Sequence, residues 1–483
     1  MKVYSSTDLV QLGRHISTPF LIEIHKDNVL EKIQVDEILR VIPKKRLTAK
    51  AIWRGSVVIV KLFFGPVRWS RNLARDVTGI NLLKASNLPT PAILHKAQIV
   101  GNRGALLVLQ YLADGKTITE CLKEAKTERE KQFWLSKAIR AIAACHGCGL
   151  SQTDIHMDNF FQSNNHIYYL DGGDIQALEK PLEKELIHRN LALFFAQFSV
   201  DNDEYIESLL NDYRLEYKNF DIQNINEIKI RVIEARNLRL ANYEKKLLRS
   251  TTAHCRMKSF NKFVMYDRES HSSYLQSLID NPNSYIKKSK LMKDGNSTTV
   301  AEFCLENKNY VIKRYNLKSF LQRVKYLFKL SRAARCWKNA SILRMIGIKT
   351  PRPFILIEDR LFGFLRGKAY FVSEKIEALN LLEYISEKGL EQADMPMIAL
   401  SFRNLFQAMI DHRISHGDMK ASNFIYRNNE LIVLDLDAMR RHRSQRSFRK
   451  AITKDFNRFL RNWQDSDYEE QFKNIIRELE ITN

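Results

Sequence analysis

His416-Gly417-Asp418-Met419-Lys420-Ala421-Ser422-Asn423-Phe424 has a counterpart 264 positions earlier in the same chain, Gln152-Thr153-Asp154-Ile155-His156-Met157-Asp158-Asn159-Phe160, and both keep the pattern D-x-x-x-x-N-F. Downstream, Tyr168-Tyr169-Leu170-Asp171 returns as Ile432-Val433-Leu434-Asp435, again 264 apart. Upstream, the apolar run Val57-Val58-Ile59-Val60-Lys61 is matched by Tyr310-Val311-Ile312-Lys313 at an offset of 252, and Pro89-Thr90-Pro91 by Lys349-Thr350-Pro351 at 260. Four landmarks in one order with this little drift predict a tandem duplication of one domain of roughly 230 residues, far longer than the period of a solenoid repeat. The predicted boundaries are 1–240, including a helical connection, and 241–483.

Each copy reads the same way from one landmark to the next. A strand rich in β-branched residues ends in a lysine, a helix closes at a Pro-containing turn, strands follow, then helices, then a short loop and strand that carry the Asp and Asn. In the second copy Leu321, Val324 and Phe328, then Trp337, Ala340 and Leu343, mark an apolar helical face that stops at Gly347 and Pro351. Early strands and late helices predict the α+β class, with a sheet-rich N-lobe and a helical C-lobe in each copy. The stretch Asp201 to Leu248 reads as charged amphipathic helix, the end of the first copy plus its connection to the second.

Composition agrees with a folded chain of this size. The 483 residues are 45% hydrophobic and 10% aromatic, and 17 Gly with 10 Pro are too few for a collagenous or low-complexity protein. Six cysteines are too sparse for a disulfide scaffold, and the N-terminus MKVYSSTDLVQLG lacks the apolar run of a signal peptide. Both features predict a cytoplasmic protein. The net charge of +22 points to anionic partners and says nothing about fold.

The repeated residues are the set that phosphoryl transfer needs. A strand-end Lys can hold the α- and β-phosphates of ATP, an Asn and a later Asp can give oxygen ligands to Mg²⁺, and an Asp before them can accept the proton of an attacking hydroxyl. In copy one these are Lys61, Asn159, Asp171 and Asp154. In copy two they are Lys313, Asn423, Asp435 and Asp418. An ordered set that appears twice at matched spacing is far more specific than any one charged residue at a strand end.

Carried by His416 to Phe424 with Leu434-Asp435-Leu436-Asp437-Ala438-Met439, and by Gln152 to Phe160 with Leu170-Asp171-Gly172-Gly173-Asp174, the chain resembles the protein-kinase-like superfamily. Within it, the resemblance is to the bacterial lipopolysaccharide core kinases of the Kdo/WaaP type and their InaA-like relatives. It runs from about Arg40 to Phe198 and again from about Thr252 to Trp463. Two tandem kinase-like domains are implied, with ATP and Mg²⁺ in the cleft of each. The implied acceptor is a sugar hydroxyl in the lipopolysaccharide inner core of a Gram-negative bacterium. A lipopolysaccharide core or other anionic glycolipid as partner, and a peripheral position on the cytoplasmic face of the inner membrane, follow from the same resemblance.

Against the superfamily pattern the two copies depart in different places. Neither has a G-x-G-x-x-G loop; in copy two Gly295 and Ser297, within Lys293-Asp294-Gly295-Asn296-Ser297-Thr298-Thr299, offer a polar turn that could cover phosphates, with an ordinary hairpin turn as the equal alternative. The acidic partner of the nucleotide lysine falls on Asp76 in copy one. The same count back from the Pro turn lands on Cys336 in copy two, and no Asp or Glu lies between Lys313 and Arg352. Copy two instead keeps Lys420, where a kinase places a phosphate-contacting lysine, and copy one has His156 there. Gly417 follows His416 where the pattern has an Arg, so activation by loop phosphorylation is not expected.

Lys313 to Arg352 holds twelve basic residues and no acid, and Arg440, Arg441, Arg443, Arg446, Arg449 and Lys450 form a second run. A solvated helix face is the ordinary reading of such runs. The lack of any acid over forty residues favours a surface for phosphates or acidic sugars. No zinc finger, recognition helix or aromatic-interleaved motif accompanies the charge, so no specific nucleic acid is expected. Cys145-His146-Gly147-Cys148 has no second pair nearby and is read as packing. Two other readings share the same residues: a protein or small-molecule kinase of this fold, and a non-catalytic pseudokinase scaffold that binds glycolipid.

Overall fold

A computed structural model describes residues 1–26, 29–65, 68–100, 104–198, 200–218, 225–268, 273–316, 329–389 and 394–481. The chain divides into two compact units, Met1–Ala235 and Arg236–Asn483. Both are α+β, with a seven-stranded front sheet and a helical rear.

In the first unit the sheet runs, edge to edge, Lys2–Val3, Phe20–Lys26, Val29–Ile42, Arg46–Trp53, Ser56–Phe64, Gly104–Gln110 and Ile93–Gln98. Along Arg46–Trp53 every second residue, Leu47, Ala49, Ala51 and Trp53, is buried, the period of two that a half-buried strand requires. Ser56–Phe64 is apolar almost throughout because both its faces are covered. Val58, Val60, Leu62 and Phe64 enter the core of the sheet, while Ile59 and Phe63 pack with Leu73 and Ile80 of the helix Trp69–Ala85. Lys61 shares the parity of Ile59 and Phe63 and therefore faces that helix.

The second unit's sheet runs His254–Lys258, Lys262–Asp267, Pro353–Leu361, Leu365–Glu374, Lys308–Tyr315, Thr298–Leu305 and Lys290–Asp294. Five strands of each sheet share one topology: numbered by chain order they lie 1-2-3-5-4, with a helix between the third and fourth. The remaining strands differ. Phe20–Lys26 pairs antiparallel with the first strand of the five, and at Ile24 a single bridge to Ile99 closes the sheet on itself. Lys262–Asp267 pairs instead along the fourth, Pro353–Leu361.

Behind each sheet, helices supply the larger core. In the first unit these are Glu128–Gly147, Lys184–Phe195 and Ile206–Glu216, joined through Leu135, Ile139, Phe194 and Tyr213. In the second they are Met395–Asp411, Gln445–Leu460 and Glu469–Ile481, joined through Phe402, Phe406, Phe459 and Phe472, whose rings meet at centroid distances of 4.6 to 6.0 Å. The stretch read as one amphipathic helix from Asp201 to Leu248 is two helices, Ile206–Glu216 and Ile225–Glu244. Of the predicted apolar helical face in copy two, Trp337, Ala340 and Leu343 lie buried on the helix Arg332–Met345, and Leu321, Val324 and Phe328 lie outside the described residues.

Candidate active site

In the second unit, Lys308–Tyr315 buries Tyr310 and Ile312 on one face and turns Lys313 to the other. There Lys313 Nζ meets Asp435 Oδ1 at 2.9 Å. Burial works against the ammonium, but the Asp435 carboxylate outweighs it and holds the Lys313 pKa above its ordinary value. Burial likewise opposes the Asp435 carboxylate, and Lys313 keeps its pKa below the usual range. Asp435 sits at φ +53°, a left-handed conformation that an Asp adopts at some cost and that structures reserve for sites where the surroundings enforce it.

The loop with Asp418 is fixed from several sides. Asn423 Nδ2 donates to Asp418 O at 2.8 Å and to its Oδ2 at 3.2 Å, and Lys420 Nζ lies 3.0 Å from the same carboxylate oxygen. The Leu434 N–H donates to Asn423 O at 2.8 Å, bringing the Asn and the Asp435 strand together. Beneath the loop, Asp455 accepts the N–H groups of His416 and Gly417 at 2.6 and 2.9 Å, and Asn462 Nδ2 donates to Met419 O at 2.8 Å. Burial raises the Asp455 pKa, partly offset by those two donors. His416 Nε2–H donates to Leu434 O at 2.9 Å, so this ring braces the loop against the segment that leads into Asp435.

Asp455 and Asn462 were not picked out from sequence. A signal did exist. Phe448, Ile452, Phe456 and Phe459 form the buried stripe of Gln445–Leu460, and an acid in the middle of that stripe needs buried donors.

A cleft of about 360 Å³ opens between the lobes of this unit. Val300 and Val311 from the sheet and Ile425 and Leu434 from below line it with apolar surface, and Lys313 and Asp435 stand in its wall. An apolar slot with cation and carboxylate at one end suits a flat base with a polyphosphate tail. The carboxylate and amide oxygens of Asp435 and Asn423 are hard donors of the kind Mg²⁺ takes. Cys336 lies in the same wall, fully buried, and burial pushes its thiol up to about 11. The position where an acid was sought is therefore uncharged. The turn at Gly295 is a hairpin turn: the Gly295 N–H donates to Thr298 O at 3.0 Å, and the Thr298 N–H to Gly295 O at 3.2 Å.

The first unit assembles its counterparts differently. Lys61 Nζ reaches Asp76 Oδ1 and Oδ2 at 3.0 and 3.3 Å and Leu170 O at 3.1 Å, with Lys61 and Asp76 both buried. Asp171 stands 3.6 Å from Lys61 and 3.5 Å from Arg46. Burial lifts the Asp76 pKa, while Lys61 and Arg46 overcome burial at Asp171 and hold it low. Asn159 Nδ2 donates to Asp154 O at 3.3 Å, the same bond as in the second unit. The helix here lies directly on the metal strand: a Cβ on Gly79 would fall 1.8 Å from Gly172 O. His156, in the place of Lys420, turns to Asp158 and depresses that carboxyl to about 2.

Residues 285–477 match the family model described as lipopolysaccharide kinase (Kdo/WaaP) family. This stretch of the chain is similar to the Kdo/WaaP lipopolysaccharide kinases. The matched span lies within the second unit, around Lys313, Asp418, Asn423 and Asp435. The chain is also similar to the lipopolysaccharide core heptose(II) kinase WaaY of Escherichia coli (strain K12). The two are 28% identical over 183 residues, which is 37% of this chain and 74% of that protein. A solved structure of WaaP in complex with acyl carrier protein aligns at 15% identity and a TM-score of 0.34, covering 44% of this chain and 88% of that one.

The basic run beside the kinase site differs from its sequence reading. Lys313 pairs with Asp435, Arg332 with Asp437, Lys338 with Glu244, Lys349 with Glu430 and Arg352 with Asp267. Arg314 donates to Asn283 and Thr299, and Arg344 to Thr350 O. Acids distant in sequence thus neutralise a run that holds none itself, and most of its described part is not a free anion-binding face. Lys318, Arg323 and Lys325 lie outside the described residues. In the other predicted packing motif each thiol points to a backbone carbonyl, Cys145 to Leu150 O at 3.5 Å and Cys148 to Ser86 O at 3.8 Å.

Proposed function

We propose that the second unit transfers the γ-phosphate of ATP to a sugar hydroxyl of the lipopolysaccharide inner core. The observation that carries this reading is a cleft of about 360 Å³ with Lys313 and Asp435 paired in its wall, next to the loop on which Asn423 and Lys420 hold Asp418, all within the span that matches the kinase family. Asp418 accepts the proton of the sugar hydroxyl as the oxygen attacks phosphorus, and Lys420 beside it stabilises the transferring phosphoryl group. Lys313 holds the α- and β-phosphates. Asn423 and Asp435 would hold Mg²⁺, which when bound neutralises charge developing on the phosphates. The relative in Escherichia coli is named a heptose(II) kinase, so a heptose hydroxyl is the first acceptor to offer.

The first unit is, in this account, a duplicated kinase-like copy with a binding or regulatory task. Its Asp171 already has two cations beside it, and its loop lacks the lysine that Lys420 supplies. We place the protein on the cytoplasmic surface of the inner membrane. The helix Gln445–Leu460 supports this, because Arg446, Arg449, Lys450 and Lys454 are exposed on it and its one acid, Asp455, is buried. No helix among the described residues is long and apolar enough to cross a membrane.

The direct test offers dephosphorylated core oligosaccharide, a generic protein and simple alcohols side by side to the full chain with labelled ATP and Mg²⁺. Label in the oligosaccharide alone is the expected result. Label in the protein or the alcohols, with none in the oligosaccharide, would replace the acceptor assigned here.

A further inference from the structure

Active kinase sites need the helix behind the nucleotide lysine locked in register, and the first unit shows the usual means, an acid on that helix facing the lysine. The second unit has Cys336 at that place, and its thiol, neutral and bonded with Tyr315 Oη at 3.2 Å, cannot supply the charge. One turn earlier on the same helix stands Arg332. Its Nε–H donates to Asp437 Oδ2 at 2.9 Å, a second guanidinium N–H donates to the same oxygen, and the guanidinium lies 4.8 Å over the Tyr315 ring. One turn later, Asn339 Nδ2 donates to Leu436 O at 2.7 Å and to Met439 O at 3.0 Å, and Asn339 is buried. The hydrogen bonds of Arg332 and Asn339 all land on residues 436 to 439, the segment that leaves Asp435.

We infer that Arg332 is a positioning residue: its pair with Asp437 docks the helix on the metal strand and holds Asp435 in its left-handed conformation, the duty of the missing helix acid. The polarity of the lock is reversed. In the first unit an acid on the helix holds a cation on the sheet, and in the second a cation on the helix holds an acid on the metal strand. Lys313 is thereby paired forward, to Asp435, the carboxylate that would hold Mg²⁺, and with that carboxylate occupied Lys313 would be free to turn to the phosphates. The lysine thus changes partner as the nucleotide arrives, and Arg332 keeps the strand still while it does so. This rests on the second unit's being the ATP–Mg²⁺ site proposed above.

Binding of a fluorescent ATP analogue to the full chain, titrated with Mg²⁺, tests it without needing an acceptor. Arg332→Ala and Asp437→Asn should each raise the Mg²⁺ needed for half-maximal binding by about tenfold, and the double variant should be no worse than either, since both remove one interaction. Arg332→Lys should fall between, and the exchange Arg332→Asp with Asp437→Arg should recover most of the loss. A melting curve identifies any variant that fails to fold, and Arg332→Lys then carries the test. Unchanged Mg²⁺ dependence in Arg332→Ala, or losses that multiply in the double variant, would overturn the inference and leave the site assignment standing. Failure of the unaltered chain to bind the analogue with Mg²⁺ would overturn both.

Discussion

In the first unit Lys61 leans back onto an acid of the helix behind it; in the second Lys313 leans forward onto Asp435, and the helix is held by Arg332 and Asn339 instead. The two solutions have different chemical consequences. A lysine held by Asp76, with Asp171 set between Lys61 and Arg46, leaves a site whose carboxylates are already neutralised by the protein. A lysine whose partner is Asp435, the carboxylate proposed to hold Mg²⁺, leaves a pair that the proposed ATP and Mg²⁺ would reorganise. The two units share the order of five strands and the Asp–Asn loop but differ in charge arrangement, which suits them to the different tasks proposed above.

The contrast can be broken at defined points. The largest effect on stability is expected at Gly79. With a Cβ 1.8 Å from Gly172 O, helix and strand must separate, and Gly79→Ala should destabilise the first unit by about 3 kcal/mol or more. At the matching place the second unit uses the Asn339 side chain, so Asn339→Ala should cost less, about 1–3 kcal/mol, by orphaning the Leu436 and Met439 carbonyls. Urea unfolding followed by probes specific to each unit measures both.

Next in size is the helix acid. Asp76→Asn leaves the buried Lys61 short of its main partner and should cost about 3 kcal/mol, whereas Cys336→Ala removes only one small buried group and should cost about 1 kcal/mol. Equal losses would mean that the two helix positions are not the contrast described.

The smallest effect is one the units share. His146 and His412 are both buried, and burial pulls each pKa down to about 4 from an ordinary 6.5. A depressed folded-state value means full stability above pH 6.5 and progressive loss as pH falls toward 4, because the unfolded chain takes up the proton first. Each should cost roughly 1 kcal/mol at pH 5.5. His146→Gln and His412→Gln should each flatten the pH dependence of their own unit's transition; slopes that stay as steep would reassign the acid sensitivity to other groups.

What sequence alone could reveal was whatever is encoded within a few residues. The loop Asp418 to Asn423, the strand ending in Asp435 and the strand ending in Lys313 are local patterns, and their repetition exposed the α+β plan of a sheet-rich front and a helical rear. Contacts that close across 85 to 105 residues were invisible: Arg332 to Asp437, Arg352 to Asp267 and Lys338 to Glu244 turn an apparently unopposed basic run into a set of pairs. Edge choice was equally hidden. Phe20–Lys26 and Lys262–Asp267 are both short apolar-rich strands, and which neighbour each pairs with depends on the whole sheet. Asp455 fell between these cases, since its place in an apolar stripe was legible while its two backbone partners near Asp418 were not.

The central claim is that phosphate transfer belongs to the second unit, and mass analysis of core oligosaccharide tests it most directly. Cells that depend on this protein would carry the unaltered chain, Asp154→Asn or Asp418→Asn. With Asp418→Asn, loss of the general base should slow transfer by about 10²–10⁴-fold and strip a phosphate from the core, while Asp154→Asn should leave the phosphate count unchanged. An unchanged count with Asp418→Asn, or a loss with Asp154→Asn alone, would contradict it.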